Sequence, residues 1–394
     1  MTTSADLPAP PRLPLRLEDG EDTYTLVRAW PRSVDHMLVE MQLDEDSDED
    51  NTTPPTVVGQ WFADPEALAS AAQATPAPSR VLGPVLLQPD GVDAQLPALV
   101  EVLAEPGARL IGHRPGRRAV VQVEGEAGNV FVKIVRRPRR AADVVRRGEL
   151  VQTLVGDEVV VPELVGSDVP RGVVRWGDVG GRTLYDLGAS WSPDQARQAW
   201  ERAGRAVAVL HGADVELVSD RHDDEDEVAG ADRWLRPAVA HGRFDADLVG
   251  RARDRVVEAL AALPPAPALG VLHRDLHDKQ VLLRPDGRIA MIDVDTLAVG
   301  ERAVDLANVL VHLELRQAQG QITAEAATAA WSALHTGLIE GAAARGEQDV
   351  AERAWERLPA YALACRLRMA AIYSFRPQWH DVAEHMLTAV AAPR

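Results

Sequence analysis

The first part of the chain alternates apolar and polar residues at the period of β-strands. Three segments, residues 23–30, 36–43 and 56–62, carry the β-branched, aromatic or alternating character of strands and are separated by turn residues or charge. Asp64 followed by Pro65 then predicts the start of a helix, because Asp caps free N–H groups and Pro fits the first turn.

These elements predict a small N-terminal α+β cap subdomain over residues 21–105. Residues 1–20 are Pro-rich and polar, and they predict a disordered tail. A second group of short antiparallel strands is expected over residues 106–177, interrupted by one helix. Its predicted strands are 109–112, 119–124, 130–136 and 173–176, and its helix is 141–154.

Beyond residue 178 the pattern becomes mainly helical up to residue 394. Ser192 and Gln195 form the pattern of a capping box, with Pro193 at the first helical position, and this helix is expected to end at His211. One β-hairpin interrupts the helices, at residues 281–292.

Charge limits the possible partners of the protein. The formal net charge is -18 and the pI is about 5.1, which argues against a nucleic acid or an acidic membrane as partner and favours a cationic substrate. Two acidic runs, residues 44–50 and 221–227, are predicted to be solvated loops.

The cellular compartment is suggested by several weaker signals. A single cysteine, Cys365, lies in an apolar stretch of helical period and predicts a core thiol in a reducing compartment. The N-terminus lacks the pattern of a secretory signal, and no apolar run approaches the length that spans a bilayer. We therefore expect a soluble, cytoplasmic protein.

Candidate chemistry concentrates around the predicted hairpin. Asp275 and Gln280 precede its first strand, and Asp293 follows its second strand. Because a Pro-Asp-Gly turn joins the two strands, these three polar residues are expected to meet at one end of the hairpin. A carboxylate that accepts a hydroxyl proton and oxygen ligands for magnesium are what phosphoryl transfer requires.

Lys133 stands alone in the apolar strand pattern of residues 130–136. Its ammonium group needs an anion, which nucleotide phosphates and Glu149 of the following helix would supply. Asp143 and Glu158 compete with Glu149 as its partner. The alternative for Lys133 is an edge-strand lysine that keeps the sheet soluble.

These motifs resemble those of the aminoglycoside phosphotransferases and their relatives, which share a two-lobed, protein-kinase-like fold. His273-Arg-Asp275 with an amide at Gln280 is similar to the catalytic loop of the family, and Ile292-Asp293 is similar to its metal-binding segment. The Gly300-to-Asp305 segment followed by Leu-Ala resembles a further family element. The implied fold class is α+β, with an antiparallel β N-lobe over 106–177, a mainly helical C-lobe over 178–394 and the additional N-terminal cap.

The resemblance implies the role of each motif residue. Asp305 would brace the catalytic loop, and His273 would orient it rather than donate a proton. His277 would contact the γ-phosphate or only pack, and Asp295 would be a second metal ligand or a substrate contact. The further implied roles are Asp275 as catalytic base, Gln280 and Asp293 as magnesium ligands, Lys133 with Glu149 as the phosphate-binding pair, and Trp176 to Asp178 as the nucleotide-binding hinge.

The implied function is transfer of phosphate from ATP, or another nucleoside triphosphate, with Mg²⁺, to a hydroxyl of a small molecule such as an aminoglycoside, an amino sugar or a sugar. Two departures support a nucleotide-binding pseudokinase or scaffold as the alternative: Gln280 replaces the usual Asn of the family, and residues 112–116 do not form a Gly-rich phosphate loop. Gln at this position also resembles the maltokinase-like branch, which carries an N-terminal cap. Protein-kinase activity is disfavoured, because no Ala-Pro-Glu segment follows Asp293.

Overall fold

A computed structural model of the chain gives the positions of most residues. The acidic run at 44–50 lies outside the described residues except for Asp44, and so do the first twelve residues of the predicted tail. The described residues are 13–44, 56–126, 128–187, 192–266 and 268–393.

An antiparallel sheet of six strands, in the order β1-β2-β3-β4-β6-β5, forms the N-terminal part. The three strands predicted here are confirmed, and Asp64 caps helix α1 as expected, accepting hydrogen bonds from the N–H groups of Glu66 and Ala67. The predicted disorder is wrong at residues 16–19, because a first strand pairs there with β2 and buries Leu17. The elements are β1 Arg16–Asp19, β2 Asp22–Pro31, β3 His36–Asp44, β4 Thr56–Phe62, α1 Pro65–Ala74, β5 Arg80–Leu82 and β6 Val85–Gln88.

A second antiparallel sheet follows, with the order β10-β11-β9-β8-β7. Helix α2 precedes it, and Leu99 and Val102 of this helix pack with Ala119 and Val121 of the sheet. The predicted boundary at residue 105 would place α2 in the cap, and that boundary stays a prediction. The elements are α2 Ala98–Leu103, β7 Arg109–Arg114, β8 Arg118–Gly125, β9 Gly128–Val135, α3 Pro138–Val155, β10 Leu164–Asp168 and β11 Val173–Gly177.

The remaining part is mainly helical, as predicted. The capping box of Ser192 and Gln195 is present, and its helix ends at His211. The expected hairpin is formed by β15 and β16. The elements are β12 Arg182–Thr183, α4 Leu184–Leu187, α5 Pro193–His211, β13 Arg221–His222, α6 Asp224–Ala240, α7 Ala246–Ala261, β14 Gly270–Leu272, β15 Val281–Leu283, β16 Ile289–Met291, β17 Ala298–Gly300, α8 Ala303–Ala318, α9 Ala324–Ala343, α10 Gln348–Tyr373 and α11 His380–Ala391.

The predicted acidic loop at 221–227 is wrong. Residues 224–227 form the first turn of α6, and Asp223 and Asp226 cap its N-terminus reciprocally. The helix dipole explains this difference, because negative side chains are stabilised beside the free N–H groups of a first turn. Cys365 is buried in α10 as predicted, and burial raises its pKa to about 12.

Candidate functional site

The hairpin β15–β16 brings together two of the predicted site residues, Gln280 and Asp293. Val281 pairs with Met291, and the N–H group of Ile292 donates to the carbonyl oxygen of Gln280 at 3.0 Å. The residues that flank the two strands, Gln280 and Asp293, are therefore neighbours. This juxtaposition is one part of what the turn chemistry predicted, and the proximity of Asp275 to Asp293 stays a prediction.

The loop that carries Asp275 is held from below by Asp305. The buried carboxylate of Asp305, at the start of α8, accepts the backbone N–H groups of His273 at 2.8 Å and Arg274 at 2.7 Å. His211 at the end of α5 lies 3.1 Å away from the same carboxylate. Burial alone would raise the pKa of Asp305, but its bonds to His211 and the loop outweigh burial and lower it. These are the contacts expected of a bracing residue.

His273 is fully buried and connects the two halves of the site. Its Nε2 atom lies 2.9 Å from the carbonyl oxygen of Ile292, and Thr296 donates to its own carbonyl oxygen at 2.8 Å. This geometry is consistent with the orienting role that we expected. Asn308, which the sequence did not single out, donates to the carbonyl oxygen of Arg274 at 2.9 Å.

Lys133 on β9 makes its ion pairs with the end of the hairpin. Its Nζ atom lies 2.9 Å from Asp293 Oδ1 and also binds the carboxylate of Asp295. Burial raises the pKa of Asp293, but the charges of Lys133 and Arg118 outweigh burial and lower it to about 2. Asp293 is therefore a carboxylate at neutral pH.

The predicted pair of Lys133 and Glu149 is absent from the structure. Glu149 lies on α3 with its side chain exposed. Its neighbour Gly148 faces the sheet instead, where a Cβ atom would come within 2.1 Å of the Trp176 ring. The two competing partners also lie elsewhere: Asp143 is nearest Arg146, and Glu158 binds Arg345.

A cavity of about 380 Å³ lies between the second sheet and the hairpin. Phe131, Trp176 and Val179 give it an apolar end, while Lys133, Gln280, Asp293 and Asp295 line its polar end. Asp178 is exposed and folds back on its own turn, where its Oδ1 atom accepts the Gly180 N–H group at 2.8 Å. The cavity therefore offers both apolar and charged surface to a ligand.

Asp275 and His277 occupy the loop beside this cavity. Asp275 is half-buried and has no hydrogen bond within the part of the chain that the structure describes. His277 stacks on His312 with a ring distance of 4.3 Å, and its Nε2 atom lies 3.5 Å from Gln280 Nε2. The neighbouring Asp278 was missed by sequence reasoning, because its buried partner Arg316 is contributed by the distant helix α8.

The nearby side chains of His277, Asp278 and His312 have ligand atoms within 4.8 Å of one another. The carboxylate of Asp278 is occupied by Arg316 at 3.0 Å. Burial raises the pKa of Asp278, but the bonds to His277 and Arg316 outweigh burial and lower it. We therefore interpret this cluster as a structural one, in which the ion pair of Asp278 with Arg316 supports the loop.

Solved structures share the fold of this chain. The amicoumacin kinase hAmiN, in complex with AMP-PNP, Ca²⁺ and Ami, is 15% identical with a TM-score of 0.53, and the match covers 72% of this chain and 87% of that one. A thermostable mutant of the aminoglycoside phosphotransferase APH(4)-Ia, in a ternary complex with ADP and hygromycin B, is 14% identical with a TM-score of 0.50, covering 74% and 95%. The macrolide 2'-phosphotransferase MphH from Brachybacterium faecium is 20% identical with a TM-score of 0.47, covering 76% and 99%.

Comparison of sequences gives the family. No curated protein matches the chain. The sequence model of the APH phosphotransferase enzyme family matches residues 110–347, more than half of the chain. This segment contains the strand of Lys133, the loop of Asp275 and the hairpin. Apart from these comparisons, no helix among the described residues is long and apolar enough to cross a membrane. Given the family match, the chain belongs to the phosphotransferase enzyme family and has a two-lobed, protein-kinase-like fold.

Proposed function

We propose that this protein transfers the γ-phosphate of ATP, or of another nucleoside triphosphate, to a hydroxyl group of an aminoglycoside, an amino sugar or a sugar. The observation that carries the proposal is the clamped loop of Asp275 beside a cavity whose polar end holds Lys133 and Asp293. Phosphoryl transfer depends mainly on positioning and electrostatics, so a rigid loop beside a charged cavity is the equipment it needs.

Asp275 is the base in this proposal. Its carboxylate is half-buried and unengaged by hydrogen bonds within the described ranges, so it can orient an acceptor hydroxyl and take its proton. The loop around it is fixed by Asp305, which binds the two preceding N–H groups. Asp305 thus acts on the reaction only through the position of Asp275.

The cavity binds the nucleotide in this proposal. Its apolar end, with Phe131 and Trp176, suits the flat face of a base, and the backbone of residues 176–178 lies along it. Lys133 suits the phosphates, because its ammonium lies at the polar end. Glu149 has no part in this assignment, since its side chain faces solvent.

The residues present also fit a magnesium ion. Gln280 and Asp293 both line the polar end of the cavity, Asp293 is held ionised, and oxygen atoms are the ligands that magnesium prefers. When bound there, magnesium would neutralise charge on the phosphates. Asp295 lines the same wall and, like Asp293, binds Lys133, and we assign it to positioning that lysine.

Magnesium-dependent ATP consumption, measured over a panel of aminoglycosides, amino sugars, maltose and choline, tests the proposal. We expect turnover with at least one acceptor, and a loss of about a hundredfold to ten-thousandfold in Asp275→Asn. Asp254→Asn, an exposed position on α7, is the matched control and should keep full activity. Turnover that persists in Asp275→Asn would remove the base assignment, whereas AMP-PNP binding without any turnover would favour the pseudokinase.

A further inference from the structure

A second cavity, of about 530 Å³, opens beside the nucleotide cavity and is lined almost entirely by positive charge. Eight arginines and Lys133 face it, against two carboxylates, Asp143 and Asp295. We call it the arginine cleft. Its arginines are 32, 114, 117, 118, 136, 137, 139 and 140.

Few of these positive charges form ion pairs within the protein. Arg140 lies 3.9 Å from Asp295, and the other seven arginines have no carboxylate within 4.0 Å in the part of the chain that the structure describes. The carboxylate of Asp295 is itself shared with Lys133. The protein has a net charge of -18 and is therefore rich in acidic residues. Because few of them lie in this cleft, we infer that its positive charge is functional.

Burial and repulsion between neighbouring arginines lower the pKa values of two residues of the cleft. Burial and the charges of Arg118, Arg28 and Arg117 lower the pKa of Arg114 to about 10. Burial and the charges of Arg32, Arg118 and Arg140 lower the pKa of Arg117 in the same way. An anion in the cleft would relieve this repulsion.

Helix α3 adds its positive end to the cleft. The helix spans 18 residues and begins at Pro138, between Arg137 and Arg139, which both line the cleft. It has no side-chain cap and no acidic residue in its first turn. Pro138 has no N–H group and the N–H group of Arg140 donates to the carbonyl oxygen of Arg137 at 2.9 Å, so the helix adds its dipole and the N–H group of Arg139 to the charge of the arginines.

The turn that carries Arg114, Arg117 and Arg118 is held in place from the N-terminal side. The buried carboxylate of Asp93 accepts the N–H group of Gly116 at 2.7 Å and lies 2.9 Å from His113 Nε2. This is the segment that departs from a Gly-rich phosphate loop. A fixed turn presents its guanidinium groups at low entropic cost, which favours binding of a defined ligand.

We propose that the arginine cleft binds a second ligand besides the nucleotide, a small molecule that carries two or more phosphate groups. One Mg-nucleotide does not account for so many cations, because only Lys133 and Arg118 of this set also line the nucleotide cavity, and the cleft extends away from it to Arg32 and Arg136. Since Asp295, Lys133 and Arg118 line both cavities, such a ligand lies beside the phosphates of the nucleotide.

Calorimetric titration with fructose 1,6-bisphosphate, in saturating AMP-PNP and magnesium, tests the site independently of turnover. We expect binding that weakens with added salt, and no binding of fructose. Arg117→Gln/Arg136→Gln/Arg137→Gln should lower the affinity at least about 30-fold, because three guanidinium contacts with phosphate are lost. The charge-matched control, Arg233→Gln/Arg236→Gln/Arg251→Gln, changes exposed arginines on α6 and α7 and should bind like the wild type.

Three results would overturn the proposal: no binding at millimolar concentration, complete displacement by AMP-PNP, or equal affinity in the cleft and control variants when thermal melts show both folded. Two sources of the ligand are separated by adding ATP. Phosphorylation of the bisphosphate, or of its monophosphates, identifies an acceptor, whereas a change in nucleotide affinity without product identifies an effector; both support the site. If no acceptor of the panel above is phosphorylated but the bisphosphate still binds, the proposed reaction is wrong and the proposed binding site in the cleft is retained.

Discussion

Two residues of the site, Arg274 and Asp293, have the left-handed backbone that side chains rarely adopt, with φ of 69° and 58°. Each such residue costs on the order of 1 kcal/mol and persists only where its surroundings fix it. Asp305 and Asn308 fix Arg274 through its N–H group and carbonyl oxygen, and Lys133 binds the side chain of Asp293. The backbone strain therefore lies at Asp293 and at the residue before Asp275. At both positions the backbone sets the direction of a carboxylate.

Asp305→Asn tests the clamp. The amide would place an N–H group against a backbone N–H group, so we expect the free energy of unfolding to fall by about 2 kcal/mol and kcat to fall with it. Urea denaturation and steady-state kinetics measure the two effects. Asp275→Asn is the comparison, because that residue has no hydrogen bond in the described ranges, and it should lose kcat at nearly unchanged stability. Equal stability of the two variants would show that Asp305 does not hold the loop.

The lowered pKa of Asp293 predicts a pH dependence of stability. Its pKa is about 2 in the folded chain against 3.8 ordinarily, so its contribution is fully present above pH 4 and is lost as the pH falls toward 2. The shift corresponds to roughly 2 kcal/mol at neutral pH. Asn at this position tolerates the left-handed backbone, so Asp293→Asn removes the charge without added strain.

We expect the stability difference between wild type and Asp293→Asn to shrink between pH 4 and pH 2, as measured by urea unfolding. The exposed Asp254→Asn serves as the control and should show no such trend. A difference that stays constant over this range would contradict the ion pair of Asp293 with Lys133.

At the scale of elements, the sequence predicted those helix starts, strands and turns whose formation depends on neighbouring residues. The caps of Asp64 and Ser192, the strand of Lys133 and the hairpin between Gln280 and Asp293 could be predicted, because each depends on a few neighbouring residues. The acidic run at 223–227 was predicted wrongly, because like charge suggested a loop while the dipole of the helix that it begins stabilises it.

The position of Glu149 shows that the sequence of a helix does not specify which of its faces contacts the sheet. The helix was predicted correctly, but its rotation depends on Gly148, which allows α3 to approach Trp176 closely. The next residue then points about 100° away around the helix, toward solvent. Which face of a helix meets a sheet is decided by packing, and the sequence of the helix alone did not specify it.

Gly148→Ala tests this packing. A Cβ atom would lie 2.1 Å from the Trp176 ring, so the helix or the ring must move, at the edge of the nucleotide cavity. We expect a lower melting temperature and weaker AMP-PNP binding, although Ala favours helices by about 1 kcal/mol over Gly. Gly250→Ala on α7 is the matched control, because a Cβ atom meets nothing within 4 Å there, and this variant should gain stability. If both variants gain stability, α3 does not depend on the missing side chain.

At the scale of the molecule, the arginine cleft could not be predicted from total charge. Its arginines come from the β2–β3 turn, the β7–β8 turn and the start of α3, and only the fold brings them together. The net charge of -18 suggested a cationic substrate, and the cleft supports the opposite charge for one ligand. Average charge describes solubility, whereas recognition depends on where charge gathers.

The N-terminal sheet is joined to the helical part by a buried aromatic contact. The Ala29 N–H group on β2 donates to the carbonyl oxygen of Phe375 at 2.8 Å, and the ring of His241 lies between Trp61 and Phe375, at 5.6 Å and 6.4 Å. Trp61 and Phe375 are both almost fully buried. Because these contacts connect distant parts of the chain, they should make the sheet unfold together with the helices.

Phe375→Ala should lower the free energy of unfolding by about 3 kcal/mol, because it leaves a cavity in this contact, and should split one calorimetric transition into two. The matched variant is Phe62→Ala, whose half-buried ring stacks on His36 within the N-terminal sheet. Phe62→Ala should lower the free energy of unfolding by less than Phe375→Ala and should keep a single transition, since it removes no contact with the helices. Should both variants unfold in one transition with equal loss, the aromatic contact would not be what couples the two parts.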